Sequence, residues 1–194
     1  AIMRSLPNVK VFSPCDLTEA KYTTRLAYEQ EGVCYLRLGR GGEEQIHSDN
    51  LDFNFPKGIE VRKESGIAIL CTGSIIEEVM DASKQLQKIK VKHSIYSFPI
   101  IKPIDETLIN KLAREYNYLF SVEEHNKCGG FGSAISEIIT TISERSCTLD
   151  IIAINDEYSS VVGSQKYLRA QYGIDSNAIV KIIMSRVGEK KEYE

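Results

Sequence analysis

Three arginines stand where a guanidinium could hold an anion. Arg40 follows the apolar run Val33 to Leu38 and lies between Gly39 and Gly41. Small neighbours leave room around it, and a planar guanidinium suits a substrate phosphate or carboxylate. Arg37 lies inside that run, and Arg4 comes just before Pro7. On residue type alone, an exposed arginine with no ligand is the simpler reading of each. Glu123-Glu124-His125 closes another apolar run. A carboxylate beside a histidine can do acid–base work, and open α/β sheets bind ligands at strand carboxyl ends. No Ser or Cys stands in a nucleophile elbow, and no second ligand cluster marks a metal site, so interface hydrogen bonding is the preferred role for His125. Gly129-Gly130-Phe131-Gly132-Ser133 could cradle a phosphate on backbone N–H groups. It lacks Gly-x-Gly-x-x-Gly spacing and any Gly-Lys-Ser/Thr, so close packing of a helix start is the expected reason for its glycines. Nothing in these motifs names a catalytic residue or a metal ligand.

The elements that must position these groups follow from periodicity. Ala1 to Leu6 reads as the last turn of a helix, broken at Pro7-Asn8. Ala1 is an odd first residue, and the expectation is that the chain is a piece of something longer. Val9–Phe12 reads as a strand. Asp16 caps a helix to about Gln30, with Glu19 at capping-box spacing and Ala20, Leu26 and Ala27 inward. A second strand, Val33–Leu38, then forms a parallel pair with the first. From Gly39 to Lys57 the pattern lapses into glycines, acids and polar residues, a linker.

Beyond the linker, strands are expected at Ile59–Arg62, Ile67–Cys71, Val91–Tyr96, Leu119–Val122 and Leu149–Ile154. Helices are expected after Ser74 (with Glu77 as its reciprocal cap), after Asp105, over Phe131–Ile142, over Gln165–Gln171 and from Ser176 to about Val187. The charged tail Glu189–Glu194 should fray. Strands alternating with helices argue an α/β layer with a mostly parallel sheet.

Composition excludes several classes. The 194 residues are 42% hydrophobic and 26% charged, an ordinary globular balance. A formal net charge of −3 leaves no broad basic field for nucleic acid. The longest apolar runs fall far short of the roughly 18 residues of a membrane span, and no signal peptide opens the chain. Cys15, Cys34, Cys71, Cys128 and Cys147 form no Cys-x-x-Cys pair, which favours reduced, buried thiols in a cytosolic protein.

Taken in order, several segments resemble the C-terminal part of transketolases. Arg4-Ser5-Leu6-Pro7-Asn8 and Ser13-Pro14-Cys15-Asp16 with Glu19 resemble the end of the pyrimidine-binding domain, and Leu36-Arg37-Leu38-Gly39-Arg40 resembles its last strand. Thr72-Gly73-Ser74, Ile101-Lys102-Pro103-Ile104-Asp105, Val122-Glu123-Glu124-His125, Gly129-Gly130-Phe131-Gly132-Ser133-Ala134 and Leu168-Arg169-Ala170-Gln171-Tyr172-Gly173-Ile174 resemble successive signatures of the transketolase C-terminal domain. Each motif is weak alone; together and in order they cover nearly the whole chain. The pattern is most similar to split transketolases, in which two polypeptides share the enzyme. Deoxyxylulose-phosphate synthases and 2-oxoacid dehydrogenase beta chains share parts of it. A non-catalytic interaction module that kept the fold is the third alternative.

The resemblance implies a partial α/β pyrimidine-binding domain over residues 1–40, a linker over 41–57 and a transketolase C-terminal domain over 58–194. It implies ketol transfer between sugar phosphates in a cytoplasmic enzyme of the pentose phosphate pathway, using thiamine diphosphate and a divalent metal such as Mg. It also implies Arg4 and Arg40 as the substrate-phosphate clamps, while alternation along the strand turns Arg37 elsewhere or pairs it with an acid. The Gly-Asp-Gly motif for metal and diphosphate is not in the sequence, and the activating glutamate belongs upstream of Ala1. The chain alone is therefore expected to bind cofactor poorly and to be inactive. Its expected partners are the missing N-terminal regions or subunit, within a homodimer of the complete enzyme. Exposed apolar patches are expected where those regions dock.

Overall fold

The computed structural model describes residues 1–49, 51, 54–143, 145 and 147–188. The expected fraying of Glu189–Glu194 lies outside them. In chain order the first elements are α1 (Ile2–Ser5), β1 (Lys10–Phe12), α2 (Leu17–Glu29) and β2 (Cys34–Leu36). After a long connection come β3 (Ile59–Arg62), β4 (Ile67–Thr72), α3 (Ile76–Lys88), β5 (His93–Ser97) and β6 (Ile100–Lys102). The chain continues through α4 (Glu106–Glu115), β7 (Tyr118–Asn126), α5 (Phe131–Ile139), β8 (Thr148–Ile154), α6 (Gln165–Gln171) and α7 (Ser176–Gly188).

Two sheets result. The larger has the order β3-β5-β4-β7-β8; only β3 runs antiparallel to its neighbour. The central strand β4 is buried along its whole length, which is why it reads as an unbroken apolar run. Its alternate residues enter different cores. Ile69 and Cys71 meet Ile76, Val79 and Leu86 of α3 and Ile179 and Ile183 of α7. Ala68 and Leu70 meet Ile109 and Leu112 of α4 and Phe131 and Ile135 of α5. Helices thus cover both faces, the α/β arrangement expected from the alternation.

The smaller sheet has the order β2-β1-β6. The expected parallel pair β1–β2 forms, with Val11 opposite Tyr35. The third strand, β6, is a finding the periodicity did not provide. It is short, stops at Pro103, and pairs antiparallel with β1. The segments before and after the long connection between β2 and β3 therefore share a sheet.

Local chemistry departs from expectation at three places. Asp16 does cap α2, accepting Glu19 N–H at 2.8 Å, but Glu19 turns its carboxylate to Cys15 N–H at 2.7 Å. The buried face of α2 is Thr18, Glu19 and Thr23, while Ala20, Leu26 and Ala27 are only half-buried. The reason is that this helix faces polar groups of the connection between β2 and β3 and of β5. Ser74 and Glu77 do not cap α3, whose first flanking residue is Ile75 with no side-chain cap. Both side chains are engaged by Arg169 instead. The apolar side chains Leu17, Tyr28, Val33 and Leu38 remain exposed around α2 and β2.

All five cysteines are free: Cys15, Cys71 and Cys147 are buried, Cys34 is half-buried, and Cys128 is exposed. Among the described residues no helix is long and apolar enough to cross a membrane.

Candidate functional site

The ends of two parallel strand pairs, β1–β2 and β4–β7, converge on one open cleft of about 330 Å³. It is lined by Ser13 after β1, Arg37 to Arg40 after β2, Thr72 at the end of β4 with Gly73 and Ser74 after it, and Glu124 on β7, with Gln165 and Leu168 of α6 opposite. Parallel strands place their carboxyl ends together, and α/β sheets carry ligand sites there.

Arg40 is exposed on the rim of this cleft and has no hydrogen-bond or ion-pair partner among the described residues. Arg37, expected to face elsewhere, lines the cleft as well. Its guanidinium donates to the Glu124 carbonyl at 3.0 Å. Strand alternation misplaced it because regular β2 pairing stops at Leu36, one residue earlier.

Glu124 is held in place by Arg169. Arg169 Nη2 and Nε donate to Glu124 Oε2 at 2.7 and 2.9 Å, and Gln165 Nε2 lies 3.0 Å from Oε1. Arg169 also reaches Ser74 Oγ at 3.1 Å, Glu77 at 3.4 Å and Glu78 at 3.7 Å. Residue spacing carried no signal for this role, since an arginine in the last turn of a short helix reads as solvent-exposed.

A second cleft, of about 320 Å³, lies beside the first. Its lining includes Ala1, Arg4, Tyr35, Arg37, Glu123 and His125. Arg4 and Arg40 therefore line separate clefts, and Arg37 borders both. Arg4 is engaged: it donates to both oxygens of Glu137 at 2.8 and 2.6 Å and to the Gly129 carbonyl at 2.8 Å. The paired carboxylate raises the Arg4 pKa, and Arg4 lowers that of Glu137.

The glycine-rich turn is explained by Glu123. Its carboxylate accepts Phe131 N–H at 2.7 Å and Gly132 N–H at 2.8 Å, seated on the amino end of α5. Burial raises the Glu123 pKa, and those two amides oppose the rise. A diphosphate does not fit on amides that a carboxylate already holds. His125 Nδ1 lies 2.7 Å from the Asn126 carbonyl, a hydrogen-bonding contact.

A third group was not anticipated. Cys15, Asp16 and His47 bring ligand-type atoms within 4.8 Å of one another. Their valences are spent within the protein, because Asp16 accepts the amides of Glu19, Ile46 and His47. His47 Nε2 lies 3.0 Å from Glu19 Oε1. Burial, with Glu19 and Asp16 nearby, drives the Cys15 thiol pKa far up, so the thiol stays protonated. The group is a hydrogen-bonded knot.

The fold and the cleft define an α/β chain that presents a cationic rim at the carboxyl ends of parallel strands. Residues 57–179 match the family model for the transketolase C-terminal domain, and the chain belongs to that family. It is 31% identical over 95% of its length to a subunit of the apulose-4-phosphate transketolase of Actinobacillus succinogenes, covering 59% of that protein. It is 30% identical over 94% of its length to the 1-deoxy-D-xylulose-5-phosphate synthase of Heliobacterium modesticaldum, covering 28% of that enzyme. Its fold overlays a solved split-gene transketolase, described as an inactive beta4 tetramer, with a TM-score of 0.87, 27% identity, and 95% of this chain and 59% of that one covered. The chain thus spans about three fifths of the subunit-type relatives it matches.

Proposed function

We propose that this chain is the C-terminal part of the second subunit of a split, thiamine-diphosphate-dependent transketolase, and that it grips the phosphate of a sugar substrate. Residues 1–40 close the pyrimidine-binding domain, 41–57 form the linker, and 58–194 form the C-terminal domain. The observation that carries the reading is Arg40, a guanidinium on the rim of the strand-end cleft with no partner among the described residues. A neutralised phosphate–arginine contact there supplies both affinity and orientation. Arg4, on the neighbouring cleft that shares Arg37 with the first, is the second cation of this reading, since a phosphate there can replace the Glu137 carboxylate on the same donors.

Thiamine diphosphate with a divalent metal supplies the electron sink for the two-carbon unit in the complete enzyme. In this reading its seat lies on the missing upstream regions. Exposed Leu17, Tyr28, Val33 and Leu38, together with the open edge of β2, suit docking of the missing upstream regions. The complete assembly is a cytoplasmic homodimer in this reading.

Two assays test it. The chain alone, given cofactor, Mg and a ketose phosphate donor, should transfer nothing, and adding the upstream regions should produce activity. Measurable transfer by the isolated chain would refute the proposal. In the complete enzyme, Arg40→Ala should raise the KM of a phosphorylated substrate by the equivalent of about 1.5–3 kcal/mol. An unphosphorylated substrate should lose far less; equal losses remove the phosphate role. Product analysis separates the second reading, a deoxyxylulose-phosphate synthase fragment, which the Heliobacterium relative supports.

A further inference from the structure

The cation at the centre of the proposed function sits on a span with little structure of its own. From Leu38 to Glu43 no backbone group hydrogen-bonds to another described residue. Gly39, Gly41 and Gly42 fall within that span, the last two at φ of 92° and 93°. Such a stretch samples many paths unless its ends are held.

Both ends are held. At the near end Arg37 N–H donates to the Phe12 carbonyl at 2.9 Å, and its side chain is fixed on Glu124. At the far end Glu44 N–H donates to Glu77 Oε1 at 3.0 Å. The amides of Ile46 and His47 then donate to Asp16 Oδ2 at 2.9 and 2.7 Å. The His47 ring meets Glu19 Oε1, an oxygen that also accepts Ser97 Oγ–H at 2.6 Å. Gln45 Nε2 donates to Thr18 Oγ1 at 2.5 Å and to the His47 carbonyl at 2.6 Å. Asp16, Glu19, His47 and Ser97 are all buried.

Two carboxylates and an imidazole under a connecting segment are a costly way to gain stability, since apolar side chains pack there with no desolvation penalty. Directional hydrogen bonds do something apolar contacts do not: they admit one register of the chain that enters them. The polar knot ties α2, the linker and β5 at a fixed point a few residues beyond Arg40.

We infer that the Asp16–Glu19–His47 knot is the positioning element for Arg40. It sets the length and direction of the glycine-rich span, and so how far the guanidinium reaches over the cleft. His47 touches no substrate and acts through Arg40. The inference rests on the phosphate-binding reading of Arg40, and its test separates the two.

The experiment compares His47→Ala, Arg40→Ala and the double variant in the complete enzyme. His47→Ala should raise the KM of a phosphorylated substrate about ten-fold with kcat within about two-fold. It should spare an unphosphorylated substrate and add nothing in the Arg40→Ala background. His47→Gln, which keeps a donor toward Glu19, should recover most of the loss. Independently of activity, trypsin cleavage after Arg40 should rise several-fold in His47→Ala. Equal KM losses with and without Arg40, or on both substrates, overturn the positioning role. If Arg40→Ala itself leaves phosphate selectivity intact, the phosphate reading fails, and trypsin decides the knot. Unchanged cleavage in a His47→Ala protein with native circular dichroism then overturns it.

Discussion

Arg169 Nη2 lies 2.7 Å from Glu124 Oε2, and the Arg169 side chain is only 3% exposed. One buried cation thereby faces three carboxylates, Glu124, Glu77 and Glu78. Removing it leaves those acids uncompensated beside the core. Arg169→Ala should cost about 3–5 kcal/mol, the range for breaking a buried ion pair. Arg169→Lys should recover part of it, because an ammonium cannot fork to Glu124 and Ser74 together. Urea unfolding checks both values.

Two buried histidines titrate in opposite senses. Burial disfavours charge on His47, but the Glu19 hydrogen bond and the charges of Glu19 and Asp16 outweigh it, so its pKa is raised. A raised folded pKa gives stability that is complete below the ordinary imidazole value near 6.5 and is lost as pH rises through the folded value. Burial lowers the pKa of His93, aided by the Arg62 charge and opposed by the hydrogen bond to Val91 and the Glu64 charge. That stability is complete above about 6.5 and is lost as pH falls below it. The urea midpoint should therefore fall on both sides of this pH. His47→Gln should flatten the alkaline limb and His93→Gln the acid limb.

Gly130 leaves room for the Glu123 carboxylate. A Cβ there would collide with that carboxylate and stand 2.9 Å from His125 Nδ1. Gly130→Ala should cost about 1–3 kcal/mol through overpacking. Glu123→Ala should cost a similar amount, about 1–3 kcal/mol, by stranding the amides of Phe131 and Gly132. Thermal melts with calorimetry measure each.

Glu137 occupies the donors that Arg4 would offer a phosphate. In the complete enzyme Glu137→Gln should lower the KM of a phosphorylated substrate several-fold. An unchanged or higher KM would take Arg4 out of substrate binding. Because Glu137 is well exposed, the change should cost under about 1 kcal/mol of stability.

Legibility varied with the length of the pattern. Runs such as Ile67–Cys71 and the stripe Ile75, Ile76, Val79, Met80 and Leu86 mark β4 and α3 plainly, because each repeats its period over several residues against an extensive core. Asp105 reads correctly as a cap and accepts Leu108 N–H at 3.0 Å. Ser74 and Glu77 show the same spacing yet cap nothing, because a distant arginine competes for both side chains. The strand β6 is three residues long and owes its existence to β1, far away in sequence.

From residue order and type came the α/β class, the order of helices and strands apart from β6, the family, and the choice of Arg4 and Arg40 as cations worth following. Local periodicity and short motifs carry that much because they reflect neighbours along the chain. Tertiary structure alone decided that Arg4 pairs with Glu137, that Arg37 borders both clefts, and that Asp16, Glu19 and His47 share one buried knot. Each of these is a contact between groups remote in sequence. Its partner is chosen by how the sheets and helices pack, and no spacing along the chain records that choice.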